Sequence, residues 1–285
     1  MAEKKLRSKK GVEITSRVLI YIVLCVMALI WLFPFAYLVI QSFAVKYDGA
    51  LLIPQEFTFD NYVKLFTDET YPFLRWFLNT LSIALVTCVL QTVLTLMSAY
   101  AFSRLRFKAR KAYMKLILIL GMFPGFLGMI VTYFLLQMIG LASNIFGLVI
   151  VYISGSAMGY YVAKGFFDTI PRSLDEAAMI DGANKNTIFF KVIMPLSKPI
   201  IVYTILMSFT APWGDYMLAS YLAQGNQQLF NVAVGLQQLL TKGNIQQNFP
   251  RFCAGGVAVS IPIMLLFFWL QKYYVEGVTG GAVKG

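Results

Sequence analysis

Six stretches of this chain are long and apolar enough to cross a lipid bilayer, and that decides its fold class before any motif is read. They run over residues 17–43, 77–103, 113–139, 145–167, 199–223 and 251–275. A crossing needs about 20 apolar residues in helical form to span about 30 Å of hydrocarbon. Lipid offers backbone amides no hydrogen-bond partner, so each run is expected as a helix. Several runs exceed the needed length, so some helices tilt or protrude. The expected fold is an all-α integral membrane protein with six transmembrane helices. The residue content agrees: 59% is apolar and 13% charged, against about 25% charged in an ordinary soluble domain. The first run is too long for a signal-peptide core of about 7–15 residues, and no small-residue cleavage site follows it. It is expected to remain as the first span.

The net charge of +11 would point to nucleic acid in a soluble protein. Here the basic residues gather beside apolar runs, where topology explains them, so no nucleic-acid partner is expected. Nineteen of the lysines and arginines fall in the N-terminal segment, the loop after span two, the loop after span four and the tail, and five fall on the other side. Both termini are therefore expected in the cytoplasm. The chain divides into a basic N-terminal segment at 1–16, a six-helix membrane domain at 17–275 and a tail at 276–285. Two outer loops are long. One, Ala44–Arg75, carries a short helix near Asn61–Asp68. The other, Gln224–Pro250, spaces Val232, Leu236, Leu239 and Leu240 as a helix that lies against the membrane face or a partner.

Several chemistries are excluded. The chain has no histidine, which rules out His-ligated haem, His-based proton relays and a Ser-His-Asp triad within it. Cys25, Cys88 and Cys253 sit in apolar runs without CxxC spacing and read as buried thiols, so no metal site is expected. No G-x-x-x-x-G-K-[ST] loop is present to cradle ATP.

One polar segment interrupts this pattern: EAAMIDGANKNTIFFKVIMPLSKP, Glu176–Pro199. Pro171 stops the preceding helix. Ser173 stands as an N-cap with Glu176 three residues on, a capping box that predicts a short helix over Leu174–Asp181. Ala177 and Ala178 keep one side low enough for close approach. Gly182 permits a turn. A second short helix, Lys185–Met194, groups Phe189, Val192 and Ile193 on one side, and Pro195 and Pro199 end it and begin span five. The loop 168–199 thus reads as a two-helix foot joined to two spans. On spacing alone it is either a contact that receives force or an ordinary capped loop.

The segment resembles the EAA loop of the permease subunits of binding-protein-dependent ABC importers, with Glu176-Ala177-Ala178, Asp181-Gly182-Ala183, Pro195 and Pro199 at the family's offsets. Val192 and Met194 stand where isoleucine and leucine are usual. The stretches IPQEFTFDNY (Ile53–Tyr62), AYAFSRLRFKAR (Ala99–Arg110) and FFDTIPRSLDEAA (Phe166–Ala178) resemble the sugar-transporting branch. FNVAVGLQQLL (Phe230–Leu240) and EGVTGGAVKG (Glu276–Gly285) are most similar to the smaller permease subunits of maltose/maltodextrin systems.

The resemblance implies the type I importer permease fold, with Ser173, Glu176, Ala177, Ala178, Asp181, Gly182, Ala183 and Pro195 forming a coupling-helix loop for an ATPase. It implies a multi-pass subunit in a prokaryotic cell membrane. That subunit would move a sugar, such as maltose or maltodextrin, from an extracytoplasmic binding protein into the cytoplasm by alternating access. The implied partners are a second, different permease, two copies of a cytoplasmic ATPase, the binding protein and membrane lipid. This chain would not be an enzyme and would hold no cofactor; ATP and Mg would be bound by the ATPase subunits. The tail, through Gly281, Lys284 and Gly285, would reach the ATPases as a flexible or tightly threaded strand; on composition alone it is a frayed terminus.

Asp215 is the clear intramembrane charge, in APWGDYML, and such a charge is a functional candidate by default. Trp213 and Tyr216 beside it offer flat faces to a sugar. The alternative is that Asp215 pairs with a polar group on a neighbouring span or sits near the outer interface. GMFPGFLG, Gly121–Gly128, predicts a kinked third span, and Gly155 and Gly159 in span four read as packing positions. Rival functions are an importer of the same architecture for a polyol or glycerol phosphate, or a stand-alone secondary transporter. The scarcity of intramembrane ionisable residues argues against the last.

Overall fold

The computed structural model describes residues 2–49, 51–155, 157–241 and 243–282, and the side chains of 16–49, 51–155, 158–241 and 243–273. Among the described residues the regular structure is helical, with one isolated antiparallel bridge between Ala44 and Phe57. Four helices are long and apolar enough to cross a membrane unaided: Ser16–Gln41, Phe73–Arg104, Ile145–Thr169 and Ile245–Tyr273. Two bent pairs could each make a further crossing, Arg110–Gly121 with Gly125–Met138 at 104°, and Lys185–Leu196 with Lys198–Gly214 at 84°. The span count is therefore four to six.

The expected kink in the third run is a break. Helix α4 (Arg110–Gly121) stops before Pro124 and helix α5 (Gly125–Met138) starts after it. Pro124 donates no backbone N–H, and the residue before a proline is pushed out of the helical region. The fifth run also divides, into α11 (Lys198–Gly214) and α12 (Met217–Ala223), with Pro212 inside the first piece and Asp215 at its end. The last helix, α14 (Ile245–Ala282), starts before its apolar run and continues beyond it.

The chain forms two compact units, one of residues 1–67 and 239–258, the other of 68–238 and 259–285. In the first, the loop after α1 (Ala2–Gln41) is pinned to that helix's end. Buried Asn61, in the short α2 (Asp60–Thr67), donates to the carbonyls of Ser42 and Ala44 at 3.0 and 2.7 Å. Ser42 Oγ and Tyr62 OH lie 2.8 Å apart. Tyr47 packs its ring 4.2 Å from Phe249, and its amide donates to Gln246.

The second unit is built on α3 (Phe73–Arg104), which packs most extensively against α11 and then against α7 (Ala157–Thr169) and α6 (Ile145–Ser154). At the start of α3, Trp76 is fully buried and its indole donates to the Gln227 carbonyl at 3.2 Å. Asn79 donates to the carbonyls of Gln228 and Phe230, and Thr80 Oγ1 accepts from the Val232 amide at 2.8 Å. These bonds seat α13 (Val232–Thr241). Its apolar stripe was expected to face membrane or a partner. Instead Val232, Leu236 and Leu239 are buried within the chain.

The absence of a side chain at Gly235 makes the seating of α13 possible. A Cβ there would lie 2.0 Å from the Trp76 ring. Gly235→Val is expected to destabilise the protein by about 1–3 kcal/mol, the usual cost of overpacking a core. Denaturant titration of the detergent-solubilised protein measures this, and adding Trp76→Leu should recover part of the loss. An unchanged midpoint for Gly235→Val would show that this contact is not tight.

Candidate functional site: a polar foot between spans

The foot begins where Pro171, with φ −57° and ψ 133°, ends the preceding chain and opens α8 (Arg172–Ile180). This corrects the capping box. Pro171 holds the N-cap position, no side chain caps the helix, and Ser173 lies inside the first turn. The helix starts two residues earlier than the box predicts, so the Ser173 hydroxyl is no longer where a cap must be.

The two faces of α8 differ sharply. Glu176, Ala177, Met179 and Ile180 are exposed, and Ala178 packs against the core below. Asp175 points inward, where its carboxylate meets Arg104, the last residue of α3, with Oδ2 3.2 Å from Nε. Both side chains are almost wholly buried, at 9% and 5% exposure. The pair is close without being well aligned: Arg104 Nε makes no hydrogen bond, and Asp175 Oδ1 has no partner. Removing one member of such a pair costs about 3–5 kcal/mol, because the other charge stays buried and uncompensated. Arg104 Nη2 donates to the Ile170 carbonyl at 2.7 Å, and Arg172 Nη2 to the Ser103 carbonyl at 3.4 Å. Ser103 Oγ donates to Asp168 at 2.6 Å, and Asp168 also pairs with Lys164.

At the far end of α8 the chain turns through Gly182, whose φ of +82° favours glycine. The amides of Asp181, Gly182 and Ala183 donate to Ala177, Met179 and Ala178 and close the helix end. Asp181 and Gly182 are exposed, and Ala183 is partly buried. Asn184 then caps the next helix, accepting from the Thr187 amide at 2.8 Å.

That helix runs from α9 (Lys185–Ile188) through a π turn (Phe189–Ile193) into α10 (Met194–Leu196). Ile188, Phe189 and Ile193 are buried and Val192 packs beside them, as their spacing predicts. Their cluster includes Leu96, Tyr100 and Phe167, and the Tyr100 hydroxyl donates to the Lys185 carbonyl at 3.2 Å. Pro195 is exposed and does not end the helix, which continues to Leu196. The break falls at Ser197, with Pro199 in the first turn of α11. The foot is thus anchored on one face and open on the other.

The intramembrane candidates do not gather on one surface. Trp213 is buried, 5.3 Å from the Phe77 ring and 5.9 Å from Phe209. Asp215 is half-buried, accepting from the Tyr152 hydroxyl at 2.6 Å and the Leu218 amide at 3.1 Å. Tyr216 is exposed. Of the tail residues, Gly281 lies in α14, whose helical backbone reaches Ala282 in place of the expected strand. Lys284 and Gly285 lie outside the described residues.

A chain whose described residues are mainly helical, with four to six apolar spans and a polar foot between two of them, is an integral membrane protein. It belongs to the family of binding-protein-dependent transport system inner membrane components, which residues 91–280 match. It is 36% identical over 273 residues to the Bacillus subtilis maltodextrin transport system permease protein MdxG, covering 95% of this chain and 97% of that protein. It is 34% identical over 270 residues to the maltodextrin permease protein MalD of Streptococcus pneumoniae, covering 94% and 95%. The B. subtilis galactooligosaccharide permease protein GanQ is 36% identical over 269 residues, covering 93% and 94%. The fold is also that of a chain in the crystal structure of a bacterial ABC transporter importing alginate. The TM-score is 0.75 at 24% identity, covering 90% of this chain and 95% of that one.

Because Ser173 makes no cap bond, Ser173→Ala should change stability by less than about 0.5 kcal/mol, against about 1 kcal/mol for loss of a working N-cap. Denaturation of the purified protein decides between the two values.

Proposed function

We propose that this chain is one of two different permease subunits of an ATP-driven importer that carries an oligosaccharide of the maltodextrin type. The cargo passes from an extracytoplasmic binding protein to the cytoplasm by alternating access. The reading is supported by the matched family and by three relatives named for maltodextrin or galactooligosaccharide transport.

In this reading α4 with α5 makes one span and α11 with α12 another, which with the four long helices gives six. The excess of lysine and arginine beside the foot and in the N-terminal segment puts both termini in the cytoplasm. Two copies of a partner ATPase bind ATP and Mg and hydrolyse the nucleotide; this chain supplies none of that chemistry. The observation that carries the reading is the two-faced foot: Glu176, Ala177, Asp181 and Gly182 are exposed, while Asp175 and Ile188 hold the other side to the spans. The exposed residues, with Ser173 and Pro195 beside them, form the docking side. Nucleotide-driven closure of the ATPases pushes this side, and the anchored side passes the motion to α3 and α11. Gly281, Lys284 and Gly285 are assigned to the same partner contact. Asp215 and Tyr216 line the solute path, with buried Trp213 behind them as support.

Glu176→Lys should leave insertion and assembly intact and abolish the ATPase stimulation produced by loaded binding protein in proteoliposomes. Normal stimulation in this variant would overturn the docking role. Titrating the cognate binding protein with maltodextrins and galactooligosaccharides tests the cargo. Binding of a polyol or glycerol phosphate in their place would overturn the oligosaccharide reading.

A further inference from the structure

Asp175 and Arg104 have no part in an exposed docking surface, yet they are among the least exposed charged side chains of the foot region. A buried ion pair rarely improves on apolar packing of the same volume, so stability alone does not account for it. Its placement is more telling. Ser103 and Arg104, the last two residues of α3, together hold Asp168, Ile170, Arg172 and Asp175. Those four positions frame the Pro171 bend where α7 gives way to α8. Glu176, the residue directly after Asp175 in the same short helix, faces outward. A push on the outer face of α8 can turn the helix about Pro171 unless something holds it, and the charge pair is placed to do so.

We infer that Arg104 and Asp175 are positioning residues: their ion pair fixes the angle of α8 to α3, so that motion received on the exposed face of the foot reaches the membrane spans. The inference rests on the reading of the foot as the ATPase contact. Without the pair, α8 rocks on Pro171 while the hydrophobic cluster under Ile188 keeps the rest of the foot in place. The expected defect is loss of coupling with the complex still assembled.

The test uses the whole complex in proteoliposomes, with the binding protein loaded with the oligosaccharide it binds. With Cys25, Cys88 and Cys253 replaced by alanine, spin labels at Leu174→Cys on the foot and Val89→Cys on α3, both exposed positions outside the docking residues, report the angle as a distance distribution. Asp175→Asn and Arg104→Gln should each broaden that distribution at least twofold. Each should also lower stimulated ATPase activity and solute carried per ATP about tenfold, with basal ATPase activity retained. The exchange Arg104→Asp with Asp175→Arg should narrow the distribution again and restore part of the coupling. Failure of the exchange to recover either readout would count against the two acting as a pair. An unbroadened distribution in both single variants would overturn the inference. So would normal stimulation in Asp175→Asn where Glu176→Lys has lost it, an outcome that leaves the docking role of the foot standing. If Glu176→Lys itself keeps full stimulation, the docking role fails, and the label distances alone decide whether the pair holds α8.

Discussion

Lipid cannot hydrogen-bond to a broken helix, and this constraint governs the interrupted fifth run. Where α11 gives way to α12, the carbonyls of Pro212 and Asp215 would be left without helical partners. Both are taken by the Asn231 side chain, at 3.0 and 2.6 Å. The Leu218 amide is taken by the Asp215 carboxylate, and the other oxygen of that carboxylate by Tyr152. One amide and one acid replace the lost backbone bonds, and one phenol holds the acid in place. The same Asn231 accepts from the Val234 amide and so starts α13. The break and the seating of the next helix depend on each other.

Helix α3 ties these local solutions together within its unit. Its first turns collect the 227–235 stretch through Trp76, Asn79 and Thr80. Its last turns collect 168–185 through Tyr100, Ser103 and Arg104. Between these ends, α11 packs along it, with Thr92 and Ser208 hydroxyls 3.5 Å apart and the Cys88 thiol directed at the Ile205 carbonyl. A single long helix thus contacts the material at both of its ends. That is the mechanical form needed if a push at one end is to matter at the other.

Much of this was legible in the sequence because it follows from local chemistry. The apolar runs, the polar foot, the turn at Gly182 and the apolar side formed by Phe189 and Ile193 all rest on residues within one or two helical turns of each other. What could not be read was long-range pairing. Asp175 is an unremarkable acid until Arg104 is beside it, and Tyr152 and Asp215 are 63 residues apart in the chain. Spacing also misjudged Ser173, because proline two residues earlier offered the backbone a competing start. The stripe of α13 showed an apolar face; only Trp76 against Gly235 identifies part of what covers it. One signal was available and unused: an acid preceding Glu176, at a position one turn before Ala178 and so on the inward side of α8.

The most apolar window of α1 is the extreme case of a helix without support from its own chain. It has a mean hydropathy of 2.7 and 0% of it is buried by other parts of the protein. Its side chains, Trp31 and Leu29 among them, gain what they gain from leaving water rather than from packing against later segments. During synthesis it therefore has nothing to wait for. It can partition into the bilayer before α3 or the foot exists.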